Sequence, residues 1–102
     1  MKQYLSSEQT AKLVELGFEK PKSIIDVWAH ETDIDMEYEY EYAYSIGELI
    51  EMLDKVGVTT YIRFGGARAI SLSNNKGREM LGGQLIDLLF VMIVELKEEG
   101  VI

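Results

Sequence analysis

Between Glu31 and Tyr44 acidic residues alternate with apolar or aromatic ones. The odd positions hold Glu31, Asp33, Asp35, Glu37, Glu39 and Glu41, and the even positions hold Ile34, Met36, Tyr38, Tyr40, Tyr42 and Tyr44. Successive side chains of a strand point to opposite faces, so a period of two marks a strand and fixes its register. Met36 to Tyr44 is therefore expected to carry a tyrosine row on one face and a glutamate row on the other.

The preceding residues 23–30, Ser-Ile-Ile-Asp-Val-Trp-Ala-His, are rich in β-branched and aromatic side chains and predict a first strand. Glu31 to Asp35 then reads as a hairpin loop. A single strand over 24–44 would far exceed the usual length of about 3–10 residues.

Capping boxes frame this hairpin. In Ser6-Ser7-Glu8-Gln9 the Ser6 hydroxyl can accept the Gln9 amide while the Gln9 side chain returns to the Ser6 amide, which predicts a helix over 7–16. Leu13 and Val14 face inward, Gly17 suits the left-handed position after the last turn, and Pro21 prevents continuation. Ser45-Ile46-Gly47-Glu48 repeats the device, with Ile46, Leu49, Ile50 and Leu53 at helical spacing and Gly57 as the stop.

Residues 58–64 and 67–73 predict a second hairpin around Gly65-Gly66. A two-residue turn would place Ile70 and Leu72 opposite to Ile62 and Phe64. A three-residue loop, Gly65 to Ala67, instead pairs Phe64 with Arg68, Ile62 with Ile70 and Thr60 with Leu72, gathering the apolar side chains on one face. After the turn-rich Ser73 to Gly77, a last helix is expected over 78–99, weakened at its start by Gly82-Gly83 and stopped by Gly100. The order is α-β-β-α-β-β-α. It predicts an α+β fold, a four-stranded antiparallel sheet of two hairpins packed on one face by helices, with a sheet covered on both faces as the alternative.

The last helix carries two apolar stripes. Leu81, Leu85, Leu88, Leu89, Met92 and Leu96 suit packing on the sheet, and Ile86, Phe90, Ile93 and Val94 form a second row around the axis. Such a helix is normally buried on most of its circumference, so either another helix of the chain or a second copy flanks it. Ile86, Phe90, Ile93 and Val94 are thus a candidate oligomer interface.

With 102 residues, 47% of them hydrophobic, the chain suits one domain with one core. The absence of cysteine excludes disulfides, thiolate metal sites and cysteine nucleophiles and fits a reducing cytoplasm. The first residues lack the apolar run of a signal peptide, and no stretch reaches the roughly 20 apolar residues of a membrane span, so a cytoplasmic protein without membrane contact is expected. A net charge of −8 opposes direct nucleic-acid binding and leaves room for a basic protein partner.

The glutamate row is an implausible cation site. Same-face carboxylates on one strand lie about 6.6 Å apart, too far for three to close on one ion at about 2.3–2.6 Å. Each neighbouring pair repels by about 0.6 kcal/mol in water and about 2.5 kcal/mol at an effective dielectric of about 20, so the row must be wet or paired with cations, for which Arg63 and Arg68 are candidates. Glu37, Glu39 and Glu41 remain a candidate acidic binding face. The tyrosines and Trp28 read as half-buried core, with a stacking platform as the alternative. His30 is the single histidine and no nucleophile motif accompanies it. Lys76-Gly77-Arg78 lacks the glycine spacing of a phosphate loop. No catalytic residue, metal or cofactor is implied.

The helix ending in Leu16-Gly17-Phe18, the stretch Tyr44 to Leu53, and the ending Leu85 to Phe90 with Glu95 to Ile102 together resemble a family of small prophage- and mobile-element-borne proteins of gut bacteria with no established activity. Asp54 and residues 66–72 depart from its pattern. The resemblance implies fold and genomic origin, and no site residues. The expectation is a non-enzymatic, phage- or mobile-element-associated protein-interaction module that self-associates through its last helix. The alternative is an acidic nucleic-acid mimic that occupies a DNA- or RNA-binding protein through Glu37, Glu39 and Glu41.

Overall fold

A computed structural model describes residues 2–64 and 70–102. In chain order the elements are α1 Ser7–Glu15, β1 Ser23–Glu31, β2 Met36–Ala43, α2 Ile46–Lys55, β3 Thr60–Phe64, β4 Ile70–Asn74, β5 Glu79–Leu81 and α3 Leu85–Glu98.

The helix boundaries follow local chemistry. Both capping boxes form: the Gln9 amide donates to Ser6 Oγ (3.2 Å) and the Ser6 amide to Gln9 Oε1 (3.0 Å), and Ser45 and Glu48 repeat the exchange. All three helices close with a Schellman pair, in which a glycine at positive φ turns the chain so that the next amide reaches back five residues. Phe18 donates to the Leu13 carbonyl (3.2 Å), Val58 to Leu53 (2.9 Å) and Val101 to Leu96 (2.9 Å).

The α+β class holds, but the expected single four-stranded sheet does not form. The described strands make two antiparallel sheets, β1-β2 and β3-β4-β5. One reason is the unforeseen β5. Asn74 and Arg78 enclose a tight turn that brings Glu79–Leu81 back against β4, so both edges of β4 are taken, by β3 and by β5. Gly82 and Gly83 then adopt φ of +85° and +71°, a conformation no helix contains, and α3 starts at Leu85 rather than near 78. Leu81 consequently leaves the first apolar stripe and is 71% exposed.

Between β3 and β4 the partners are Phe64 with Ile70, Ile62 with Leu72 and Thr60 with Asn74, two residues on from the expected register. A shift of two preserves the face, so Ile62, Phe64, Ile70 and Leu72 still share one side. The expected loop and Arg68 lie outside the described residues.

Helix α3 is the axis of the core. Leu85, Ile86, Leu89, Met92, Ile93 and Leu96 are all buried, together with Leu5, Leu13, Tyr44, Leu49, Leu53, Val58 and Leu72 from the elements around it. Ile86 and Ile93 are 0% and 1% exposed, and Phe90 and Val94 are half-buried against the same cluster. Ile86 and Ile93 of the second stripe are therefore covered within the chain, which leaves only parts of Phe90 and Val94 open to a second copy. α2 and the three-stranded sheet pack on α3, α1 is tied to it by Gln9 on Asp87 (3.0 Å), and the residues flanking α1 by Lys2 on Asp87 (2.9 Å) and by Lys97 over the Phe18 ring at 5.6 Å.

Candidate interaction surface

The strands β1 and β2 stand away from that core. Every residue of β1 after Ser23 is exposed, as are Met36 to Tyr40 and Tyr42 of β2. The molecule measures 57 × 33 × 19 Å with a radius of gyration of 16.3 Å, where a compact chain of this length has about 13 Å. The hairpin is an arm.

Its faces follow from the register. Val27 pairs with Tyr40, Ala29 with Tyr38 and Glu31 with Met36, whereas Asp26 pairs with Glu41, Trp28 with Glu39 and His30 with Glu37. A bulge between Ile24 and Asp26 shifts the phase of β1, so that Ile24 lies opposite Tyr42 and joins the apolar side. One face thus carries Ile24, Val27, Ala29, Met36, Tyr38, Tyr40 and Tyr42, with Glu31 at its outer end. The other carries Asp26, Trp28, His30, Glu37, Glu39 and Glu41.

The alternation of Glu and Tyr therefore set the two faces as expected, but the tyrosine row is not core. Tyr38 is 56% exposed, Tyr40 and Tyr42 are each close to half exposed, and their rings lie 6.3 Å apart. Trp28 is exposed too, on the acidic side. Only Tyr44, beyond the end of β2, reaches the interior, where its hydroxyl donates to the Glu19 carbonyl. Burial, with Glu48 and Glu19 nearby, raises the Tyr44 pKa and keeps the hydroxyl a donor.

Two polar contacts anchor the base of the arm. Glu48, at the start of α2, accepts the Lys22 amide (2.9 Å) and the Ser23 hydroxyl while completing its capping box with Ser45. Burial alone would push the Glu48 carboxyl up, but the hydrogen bonds from Lys22, Ser23 and Ser45 outweigh it and hold it below its usual pKa. On the other side the Ser7 hydroxyl donates to Glu41 (2.8 Å). Between α1 and β2 lies a mainly apolar groove of about 530 Å³, walled by Ala11, Val14, Pro21, Tyr40 and Tyr42, with Ser7, Thr10, Glu41 and Lys20 supplying its polar groups. At the far end Thr32 to Asp35 form the turn, and Ile34 at its tip is 97% exposed.

The remaining candidates fall elsewhere. Glu37 and Glu39 are on the surface, and His30 lies 3.4 Å from Glu39 on the open acidic face. Among the described residues no group of three acidic or imidazole side chains converges for a metal ion. Arg63 belongs to the other sheet and does not answer the glutamates. Lys76-Gly77-Arg78 precedes a strand, not a helix, and Arg78 clamps α3 by pairing with Glu95 (2.5 Å) and Glu99, which raises the Arg78 pKa and lowers that of Glu99. Among the described residues no helix is long and apolar enough to cross a membrane. The feature missed from the sequence is the exposure of the apolar face: periodicity tells which side chains share a side, not what covers it. The bulge at Ile25 had no signal in residue type.

No protein-family model matches the chain, and neither curated proteins nor solved structures give a match.

Proposed function

We propose that the chain is a non-enzymatic protein-interaction module whose contact element is the β1-β2 arm, and, on the resemblance to prophage-borne proteins, one carried by a mobile element. The observation that supports this reading is the arm's uncovered apolar face. A two-stranded hairpin is marginal in water on its own, and contiguous apolar surface held away from the core is characteristic of binding sites. A partner laid on Tyr38, Tyr40 and Val27 completes the missing layer and orders the strands.

A photoreactive amino acid at Tyr38, compared with one at exposed Glu51 on α2, tests this in the native cells. The arm position is expected to give a discrete protein adduct and the α2 position none. Absence of an adduct at Tyr38, or the same adducts from both positions, would overturn the reading.

A second reading, an acidic nucleic-acid mimic, is favoured by one observation: Asp26 adds a fourth carboxylate to the face of Glu37, Glu39 and Glu41, opposite Glu41 itself. Exchanging the three glutamates for glutamine abolishes the Tyr38 adduct in that case. It leaves the adduct unchanged if the tyrosine face is the contact.

A further inference from the structure

We propose that the partner of the arm is a second copy of this chain, its arm laid antiparallel across the tyrosine face with its tip in the groove beside α1. The proposal rests on the arm being the interaction element.

Length is the first reason. If a two-fold axis passes through Tyr38, the tip residue Ile34 and the groove residue Tyr42 lie four positions to either side of it. Tyr42 is about 13 Å from the axis at strand rise, and Ile34, in the turn beyond Met36, is at most that far on the other side. Antiparallel stacking then places Ile34 of one copy over Tyr42 of the other and Met36 over Tyr40, where a thioether meets an aromatic ring. The two-fold repeats every one of these contacts.

Charge is the second. The chain carries −8, so two copies repel unless they meet where carboxylates are few. On the tyrosine face the sole carboxylate is Glu31, near the tip, whereas the opposite face carries four. Stacking through the acidic faces would set like charges against each other. At the tip, Asp33 and Asp35 flank Ile34, and the groove that would receive them holds Lys20, exposed and without an ion-pair partner among the described residues, together with Glu41, whose carboxylate is already engaged by the Ser7 hydroxyl. An apolar tip between two acids thus matches an apolar groove beside a cation.

Area is the third. With its large side chains about half exposed, the face offers on the order of 600 Å² per copy. Two copies bury about 1,200 Å², the lower end of specific interfaces, before the tip contacts are added.

The test uses the full chain and two independent readouts. Sedimentation equilibrium is expected to show a dimer. Lys20→Glu alone, or Asp33→Lys with Asp35→Lys, weakens it roughly tenfold, and the three changes together return it to within about threefold of the starting affinity. Since the chain has no cysteine, Tyr38→Cys places a single thiol at the proposed axis. A short bis-maleimide is expected to join two such chains efficiently, while Tyr61→Cys on β3 is not joined. These positions are exposed, and thermal unfolding at low concentration checks that the variants fold. A monomer up to about 100 μM, a dimer indifferent to the charge changes, or a failure of the triple variant to recover would each overturn the proposal. If the chain is monomeric while Tyr38 still photocross-links to a different protein, the arm reading stands and only the second copy is lost. If neither occurs, both fall.

Discussion

Truncating Ile93 separates a core stripe from an interface stripe. The side chain is 1% exposed and sits in the cluster formed by Leu13, Leu49, Leu53 and Leu89. Ile93→Ala removes buried methyl and methylene groups and leaves a cavity between close-packed neighbours, which costs about 2–5 kcal/mol. Of a total stability of about 5–15 kcal/mol, that is a large share. At about 4–8 °C per kcal/mol for a domain of this size, a loss near 3 kcal/mol lowers Tm by about 12–24 °C. Tyr38→Ala, on the open arm, changes the stability of the isolated chain by less than about 0.5 kcal/mol. Urea unfolding at submicromolar concentration, followed by far-UV circular dichroism, measures both without interference from association. A cost below about 1 kcal/mol at Ile93, together with loss of self-association, would refute the placement of the second stripe inside the chain.

Other outcomes follow from the same contacts. Gly82→Ala is expected to cost about 1–2 kcal/mol in urea unfolding, because φ is +85° and open space around the site leaves backbone strain as the only term. Gly47→Ala, inside α2 with only Ser45 Oγ within 4 Å, at 3.9 Å, should instead stabilise by about 0.5–1 kcal/mol. Glu48 and Asp87 both have lowered native pKa values, the latter through hydrogen bonds from Gln9 and Lys2. They therefore bind fewer protons folded than unfolded. Their contribution is present above the unfolded pKa of about 4 and is lost as pH falls through the native values. Melting curves between pH 7 and pH 3 should show this decline, and Glu48→Gln should flatten it.

What was legible in the sequence was local. Ser6 with Gln9 and Ser45 with Glu48 announced helix starts because a cap needs only residues three apart, and Gly17, Gly57 and Gly100 announced the stops for the same reason. The hairpin Ser23 to Ala43 was legible from a period of two. The three residues of β5 are too few to show a period, although Gly82-Gly83 carried the signal that the helix could not run through them. What covers a face is a tertiary matter. The apolar surplus on α3 and the tyrosine row on β2 look alike as patterns, yet Ile86 and Ile93 are buried in the core cluster while Tyr38 and Tyr40 are not. The two hints of function therefore exchanged places.

Concentration-dependent hydrogen exchange tests that exchange most directly. From nanomolar to about 100 μM, amides of residues 24–42 should gain protection while those of Leu85–Glu98 stay equally protected throughout. If protection instead rises in α3 and the arm is unchanged, the contact surface is the last helix and the account is wrong.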